Sequence, residues 1–155
     1  MKASFDIFYL KTPLGCLKIT TQDHFLVGVG FADHTIISAP SSDFQKDIAF
    51  QIAEYFCLKR KTFQIPMRLN GTPFQQKVWS ALKDIPWGTL TTYKKIAERV
   101  DCPKGYRAVG QAIHCNPIAL IIPCHRVIGQ NGHMTGYAFG VDRKRYLIDL
   151  EQSAR

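Results

Sequence analysis

A cysteine followed directly by a histidine and an arginine is the feature of this chain that most clearly indicates chemistry, in the order Pro123-Cys124-His125-Arg126. Near pH 7 a free thiol is only about a few per cent ionised, so it needs a base or a local positive charge to become a strong nucleophile. His125 and Arg126 are candidates for these two functions. Aliphatic residues flank the group on both sides, so the backbone can be buried while the polar side chains face a pocket.

Adjacency in the chain does not by itself bring Cys124 and His125 into contact. In an extended strand neighbouring side chains point to opposite faces. A contact therefore needs a turn at this point or a bridging water. The competing interpretation is structural, because most cysteines behave as small buried hydrophobic side chains.

The residues around this group resemble the O6-alkylguanine-DNA alkyltransferases, a family of DNA-repair proteins. Pro123-Cys124-His125-Arg126-Val127 is similar to the active-site signature of that family. The resemblance is strong from roughly Gly71 to Glu151 and weak over the first seventy residues. Other segments that match at the family's spacing are Gly71–Trp79, Arg107–Gly110, Asn116-Pro117, Gly136-Tyr137 and Glu151.

The resemblance implies an irreversible DNA alkyltransferase. Such a protein transfers the alkyl group from O6-alkylguanine, and in some members from O4-alkylthymine, to its own cysteine. The target base lies stacked in a duplex, so it must be rotated out at a cost of about a few kcal/mol. The thioether has no route for turnover, so each molecule reacts once. No cofactor is implied, since the cysteine is the acceptor. The expected partner is double-stranded DNA containing alkylated guanine, bound by a monomer.

The resemblance also assigns catalytic roles. Cys124 would be the nucleophile, and His125 would be its base, acting through an ordered water. Glu151 would hold the imidazole in one tautomer. Asn116 would hold the active-site turn by side-chain hydrogen bonds. From the residues alone, Glu151 would be an exposed carboxylate at a helix end and Asn116 a helix C-cap.

The contacts with the lesion and with DNA follow from the same resemblance. Arg107 would enter the base stack and fill the space left by the rotated base; otherwise it would contact a phosphate. Tyr93 would lie near the rotated phosphate and donate to the purine, and otherwise would be an ordinary aromatic of a first helical turn. The implied substrate contacts are Tyr93, Arg107, Tyr137, Val127 and Ala138, and the implied DNA contacts are Arg107, Tyr93, Ala108, Gly110, Lys94 and Tyr106.

Two residues depart from the commoner pattern of the family. Tyr106 stands directly before Arg107, where a small residue is expected. Phe139 follows Tyr137-Ala138, where small or mixed residues often stand. A phenylalanine there would crowd the base pocket and disfavour bulky adducts.

Composition narrows the class of protein. The formal net charge of +8 favours a polyanionic partner such as DNA. The five cysteines are odd in number and contain no C-x-x-C pair, which argues against a disulfide framework or a metal-binding zinc knuckle. The sequence contains no apolar leader and no stretch as long as a membrane span, so we expect a cytoplasmic, DNA-associated protein without a membrane partner.

The pattern of the first half predicts an α/β supporting domain over residues 1–69. The segments Phe5–Leu10, Cys16–Thr21 and Phe25–Phe31 alternate and are separated by turn residues, which predicts a three-stranded antiparallel sheet. A helix with Ser42 as N-cap and Gln45 in a capping box is predicted to end near Lys59.

The second half, residues 70–155, is predicted to be a mostly helical DNA-binding and alkyl-acceptor domain. Thr72, Pro73 and Gln75 mark a strong helix start. A helix capped by Thr92 and a second helix from Tyr106 to about Cys115 form a helix-turn-helix in outline. An amphipathic helix from Val141 to about Gln152 closes the chain. The predicted fold class is therefore α/β, with a small sheet and one helix followed by a mostly helical domain.

Two other functions compete with alkyl transfer. A lesion-binding module without transfer chemistry would resemble members of the family whose cysteine is replaced, but Cys124 is present here. A cysteine hydrolase with a Cys–His pair would also require an oxyanion hole and a path for turnover. Consumption of the thiol by lesion DNA would distinguish alkyl transfer from both of these functions.

Overall fold

The computed structural model describes residues 4–33, 37–134 and 136–154. The chain forms two compact units, Met1–Leu69 and Asn70–Arg155. Each unit has its own secondary structure, and the supporting role of the first remains a prediction. None of the helices in the described ranges has the length and apolar character that crossing a membrane requires.

The first unit is a small antiparallel sheet with one helix. Strands β1 (Asp6–Thr12), β2 (Gly15–Gln22) and β3 (Phe25–Phe31) pair in chain order. Inward positions are in register, because Ile19 lies opposite Phe8 on one side and Val29 on the other. Helix α1 (Asp43–Phe56) contributes Ile48, Ile52 and Tyr55 to the core of the chain.

The predicted caps of α1 are partly right. The Ser42 side chain accepts a hydrogen bond from the Gln45 N–H, as predicted. In a full capping box the Gln45 side chain would accept from the Ser42 N–H. Here Gln45 Oε1 accepts instead from the backbone N–H and the hydroxyl of Ser41. The helix ends at Phe56, with Cys57 as its C-cap, and Leu58 takes a φ of 62°. It is therefore about one turn shorter than the sequence predicts.

The second unit is mostly helical, which confirms the predicted fold class. Thr72 and Gln75 form a complete capping box with Pro73 in the first turn, as predicted. Helices α3 and α4 pack together across the turn 100–105 and form the predicted helix pair. The helices of this unit are α2 (Pro73–Lys83), α3 (Tyr93–Arg99), α4 (Tyr106–His114) and α5 (Val141–Ser153).

A short parallel strand pair was not predicted. Strand β4 (Thr91–Thr92) pairs with β5 (Val127–Ile128), directly before α3 and directly after the Pro-Cys-His-Arg segment. Two-residue strands carry too little periodicity to be read from sequence. The pair fixes the segment that contains Cys124 beside the start of α3.

Trp79 ties α2 to the end of α4. Its indole N–H donates to the carbonyl of Ala112 over 2.8 Å, and its ring is 1% exposed. Ala112 lies in the last turn of α4, whose final carbonyls lack partners within the helix. A Cβ on Gly71 would lie 2.5 Å from the Trp79 ring, so glycine is needed there for the ring to pack.

Candidate active site

The segment that carries Cys124 is held by the side chain of Asn116. Asn116 Nδ2 donates to the carbonyl of Ile122 over 2.9 Å, and its Oδ1 accepts from the N–H of Ile118 over 3.1 Å. Both contacts lie within the loop 116–122, so the amide bridges its two ends. Cys124, His125 and Arg126 then form a single 3₁₀ turn. The segment therefore has the turn that a Cys–His arrangement requires, and it does not continue as a strand.

The Cys124 thiol is buried, with 5% of the residue exposed. Burial raises the pKa of this thiol, while a hydrogen bond from Asn116 and the charge of Lys144 act in the opposite direction without overcoming it. The resting group is therefore a protonated thiol near pH 7. Nucleophilic attack by Cys124 then requires a base that removes the proton.

His125 and Glu151 form a buried pair. His125 Nε2 lies 2.7 Å from Glu151 Oε2, and the exposures of the two side chains are 0% and 2%. Burial lowers the pKa of His125, although Glu151 acts to raise it. The imidazole is therefore neutral near pH 7. Because the carboxylate must accept, Nε2 carries the ring proton and Nδ1 keeps a free lone pair. Within the described residues Nδ1 has no hydrogen-bond partner, so it is available as a base.

Arg126 binds the same carboxylate through two nitrogens. Its Nε donates to Glu151 Oε1 over 2.8 Å and one terminal nitrogen donates to Oε2 over 3.0 Å. The other terminal nitrogen donates to the carbonyl of Ile85 over 2.7 Å. These bonds connect the turn to α5 and to the residues after α2.

The charge of Glu151 is stabilised by more than one donor. Its Oε1 also accepts from the N–H of Gly88 over 3.2 Å. Burial acts to raise the pKa of Glu151, but hydrogen bonds and charge from His125 and Arg126 outweigh burial and hold the pKa well below the usual range. The carboxylate is therefore ionised at neutral pH and oriented by fixed donors. Its charge favours the imidazolium that forms when His125 accepts a proton.

Lys144 is a site residue that the sequence reasoning missed. It is fully buried, and its ammonium lies 5.9 Å from the centre of the Tyr93 ring. Burial lowers its pKa to about 8, with the Cys124 charge acting in the opposite direction. A signal was present, because Lys144 occupies the same helical stripe as the buried Leu147, Ile148 and Glu151. Burying a lysine is costly unless its charge interacts with a polar group, and here Lys144 places positive charge near the Cys124 thiol.

Tyr93 and Arg107 line one open cavity of about 580 Å³. Tyr93 begins α3, after the Thr92 cap, and Arg107 is the second residue of α4. Gly136 lines the same cavity with a φ of +79°, and a Cβ there would lie 2.8 Å from the Tyr93 hydroxyl. Glycine is therefore required at this position, both for the positive φ and for the close approach of the Tyr93 hydroxyl. The remaining lining residues are Gly110, Gln111 and His114.

Tyr137 contributes a buried hydroxyl without a hydrogen-bond partner among the described residues. Burial raises the pKa of this phenol, which stays protonated and can donate. An unpaired buried hydroxyl costs roughly 1–3 kcal/mol, so a donor here is satisfied when a ligand supplies an acceptor. The Tyr137 ring meets the Phe139 ring edge-on, with centroids 5.5 Å apart.

The other predicted contacts are spread around these groups. Val127 is fully buried in β5, and Ala138 is exposed beside Tyr137. Tyr106 and Lys94 line a second cavity of about 270 Å³ with Tyr93 and Gln130. Ala108 is exposed on α4. Their roles toward DNA and substrate remain predictions.

Replacing Glu151 by glutamine is expected to destabilise the protein strongly. The change leaves the buried guanidinium of Arg126 without a counter-charge, and breaking a buried pair in this way costs about 3–5 kcal/mol. Urea denaturation at pH 7 measures this loss. The matched control is Glu54→Gln, because Glu54 pairs with Arg60 at 24% exposure of both side chains. That change is expected to cost about 1 kcal/mol or less; equal losses in the two variants would contradict the assignment.

The Glu151→Gln change is also expected to alter how the free energy of unfolding depends on pH. The depressed pKa of Glu151 gives stability that is present above its unfolded value of about 4.3 and is lost as the pH falls below it. The lowered pKa of His125 also causes stability to fall once the pH drops below about 6.5, because the unfolded chain binds the proton more readily. Below about pH 4.3 the wild type should lose stability more steeply than Glu151→Gln.

Comparison with known proteins identifies the relatives of this chain. Residues 73–153 match the family described as 6-O-methylguanine DNA methyltransferase, DNA binding domain. A methylated-DNA–protein-cysteine methyltransferase of Methanosarcina mazei is 50% identical over 113 residues, which are 73% of this chain and 72% of that protein. The crystal structure of Mycobacterium tuberculosis O6-methylguanine methyltransferase superposes with a TM-score of 0.89 at 36% identity, covering 98% of this chain and 95% of that one.

A second structure of the M. tuberculosis protein, OGT in complex with DNA, superposes with a TM-score of 0.86 at 38% identity, over 94% of this chain and 91% of that one. The family match spans just over half of the 155 residues and contains every predicted site residue. The resemblance inferred from the Pro-Cys-His-Arg segment is thereby confirmed: the chain belongs to the 6-O-methylguanine DNA methyltransferase family.

Proposed function

We propose that this chain repairs DNA by direct reversal and transfers the alkyl group of O6-alkylguanine irreversibly to Cys124. It is a methylated-DNA–protein-cysteine methyltransferase that acts once per molecule. The observation that carries the proposal is a buried Cys124 thiol on the same 3₁₀ turn as a neutral His125, whose Nε2 is held by Glu151 and whose Nδ1 has no partner among the described residues. We place the reaction in the reducing cytoplasm, because an oxidised thiol could not act.

The reaction requires one proton transfer before the alkyl transfer. His125 Nδ1 accepts the thiol proton through a bridging water, and the resulting imidazolium is stabilised by Glu151. The thiolate sulfur then forms a bond to the alkyl carbon while the bond from that carbon to guanine O6 breaks. The electron pair of that bond passes to guanine, where hydrogen bonds donated by Tyr93 or Tyr137 stabilise it, and guanine takes up the proton that left the thiol, returned from the imidazolium of His125 through water. The products are unmodified guanine and a thioether on Cys124.

Arg126 helps to keep His125 neutral. Burial is the main cause that lowers the pKa of His125, and the charge of Arg126 acts in the same direction against the raising effect of Glu151. The guanidinium donates to both oxygens of Glu151, so part of the carboxylate charge beside the imidazole is balanced. Burial and the arginine together leave the histidine in the neutral form that can accept the thiol proton.

DNA binding is assigned to α4 and the start of α3. Arg107 is exposed on α4 and lines the 580 Å³ cavity with Tyr93. We propose that Arg107 enters the base stack as the alkylated nucleotide rotates toward Tyr93 and Tyr137. The Tyr137 hydroxyl then donates to the guanine, which removes the cost of leaving that hydroxyl unpaired.

The decisive measurement is the intact mass of the protein after incubation with excess duplex containing one O6-methylguanine. We expect a gain equal to one methylene group, mapped to Cys124 by peptide analysis and absent in Cys124→Ala. Gain at Cys57 or Cys115, which are exposed thiols, is not expected. An unchanged mass together with tight binding of lesion DNA would overturn alkyl transfer and leave a lesion-binding module.

Gly110 provides a test of DNA binding by α4. A mid-helix glycine costs about 1 kcal/mol relative to alanine. Apart from the adjoining residues and the backbone of its own helix, however, a Cβ at Gly110 would meet no atom of the described residues within 4 Å. Packing within the protein does not explain the glycine, whereas close approach of DNA does. Gly110→Ala is therefore expected to raise the free energy of unfolding by roughly 0.5–1 kcal/mol and to weaken binding to duplex DNA.

Two measurements complete this test. Urea denaturation reports stability, and fluorescence anisotropy with an unmodified duplex reports affinity. Reaction of Cys124 with free O6-methylguanine base serves as the control, because it bypasses α4 and should be unchanged. If Gly110→Ala bound DNA as tightly as the wild type, α4 would not approach DNA at this residue.

Phe139 is expected to limit the size of the adduct. Its ring packs edge-on against Tyr137, 5.5 Å between centroids, and we propose that Tyr137 lines the base pocket. Overpacking of this kind costs roughly 1–3 kcal/mol, so we expect consumption of Cys124 to be about tenfold or more slower with O6-benzylguanine than with O6-methylguanine in matched duplexes. Phe139→Ala should remove most of the difference, whereas Tyr146→Ala, at a 39% exposed aromatic, should not. Equal rates in the wild type would contradict this reasoning.

A further inference from the structure

The turn between α2 and β4, residues 84–90, reaches Glu151 through the backbone of Gly88. The Gly88 N–H donates to Glu151 Oε1 over 3.2 Å, and this bond is buried. The carbonyl of the same glycine accepts from the side-chain amide of Gln152 over 2.8 Å. Two consecutive residues of α5 therefore bind the two backbone polar groups of one glycine.

Gly88 needs an outside contact to keep its N–H directed at the carboxylate. It takes a φ of +77°, a conformation that residues with a Cβ rarely adopt. Glycine leaves such a conformation easily, because more backbone conformations are open to it than to any other residue. The bond from Gln152 fixes the carbonyl on the far side of Gly88 and so restrains rotation about the bonds between the two peptide groups.

Other contacts fix the rest of this turn. Arg126 donates to the carbonyl of Ile85 over 2.7 Å. The N–H and the hydroxyl of Thr89 both donate to the carbonyl of Pro86, over 3.2 Å and 2.6 Å. The peptide group after Gly88 therefore has its N–H bonded within the turn and its carbonyl bonded to α5. The second of these bonds attaches the peptide to the helix that carries the catalytic carboxylate.

The Gly88 N–H affects the negative charge that His125 experiences. It shares Glu151 Oε1 with the Nε of Arg126, while Oε2 accepts from His125. A hydrogen bond donated to a carboxylate stabilises its charge and so weakens its attraction for a proton on a neighbouring group. The charged groups that act on His125 are Glu151, Arg126 and Lys144. Losing the Gly88 donor would strengthen the effect of Glu151 and favour the imidazolium before the thiol proton is transferred.

We propose that Gln152 is a positioning residue for alkyl transfer, which holds the Gly88 N–H on Glu151 and thereby keeps His125 neutral until it accepts the thiol proton. The inference rests on the proposed repair function and adds to it a residue that acts through Glu151 rather than on DNA or the alkylated base. The base strength of the histidine then depends on a side chain that neither contacts it nor carries a charge.

The test replaces Gln152 by methionine, which has a similar length and donates no hydrogen bond. The rate of Cys124 consumption is measured with saturating duplex containing one O6-methylguanine, between about pH 5.5 and 8.5. The rate falls at the acid end as His125 takes up a proton from water. We expect this fall to begin at a pH higher by about 0.3–1 unit in the variant, which lowers the rate there roughly twofold to tenfold. The duplex concentration that gives half the maximal rate should not change.

Two further variants assign the effect. Gln152→Lys restores a donor of similar reach to the Gly88 carbonyl, so its rate should fall no earlier than that of the wild type as the pH is lowered. Ser153→Ala is the matched control on the same turn of α5, because the exposed Ser153 hydroxyl donates to the carbonyl of Leu150 over 2.7 Å. Its rate should follow the wild type at every pH. Urea denaturation confirms that each variant is folded under the assay conditions.

NMR of protein labelled with 15N-histidine reads the imidazole directly, without DNA. We expect the Nε2 proton of His125 to move downfield in Gln152→Met, because its bond to a more highly charged carboxylate is stronger. The same proton should keep its position in Ser153→Ala. Where the maximal rate of the wild type does not change with pH, this shift alone decides between the outcomes.

Three outcomes overturn the proposal. The first is a Gln152→Met variant whose pH profile and His125 resonance both coincide with those of the wild type. The second is a loss of rate that is equal at every pH, as a purely structural role predicts. The third is a changed half-saturating duplex concentration at an unchanged maximal rate, which would assign Gln152 to DNA binding. Failure of the proposed function looks different, because Cys124 of the wild type would then gain no mass from lesion DNA.

Discussion

The site depends on one buried carboxylate that is bound by two partners of different kinds. Glu151 orients His125 through one oxygen and shares both oxygens with Arg126. The guanidinium of Arg126 balances part of the negative charge of Glu151. The rest of that charge stabilises the protonated form of His125. Since Glu151 comes from α5 and the other two from the 3₁₀ turn, this interaction also joins the end of the chain to the catalytic segment. Stability and chemistry therefore rest on the same bonds.

The surrounding elements place this group beside α3 and α4, the helices that we propose bind DNA. Asn116 follows directly on the end of α4 and bridges the loop that leads to Cys124. Trp79 fixes the last turn of α4 from the other side through the Ala112 carbonyl. The parallel pair of β4 and β5 holds the start of α3 against the residues after the catalytic turn. The thiol and the face of α4 that we propose binds DNA are thus connected through short, buried links.

Much of this could be predicted from the sequence, and the misses have physical causes. Caps and periodicity located α2, α3, α4 and α5, because Thr72 and Thr92 satisfy backbone groups locally. The pairing of Arg126 with Glu151 joins residues 25 apart, and no local rule encodes it. Lys144 was overlooked because lysine on a helix is usually solvated. Its place in a buried stripe was visible, but the thiol it faces lies on another element.

The depth of Cys124 has a consequence for its lifetime before it meets damaged DNA. The residue is 5% exposed and its thiol is protonated at rest, whereas Cys57 and Cys115 are exposed. Small electrophiles and oxidants in solution attack accessible thiolates. They therefore reach the two surface cysteines more readily than they reach Cys124. An acceptor that reacts once is thus protected by its own burial from reagents that would use it up before it meets damaged DNA.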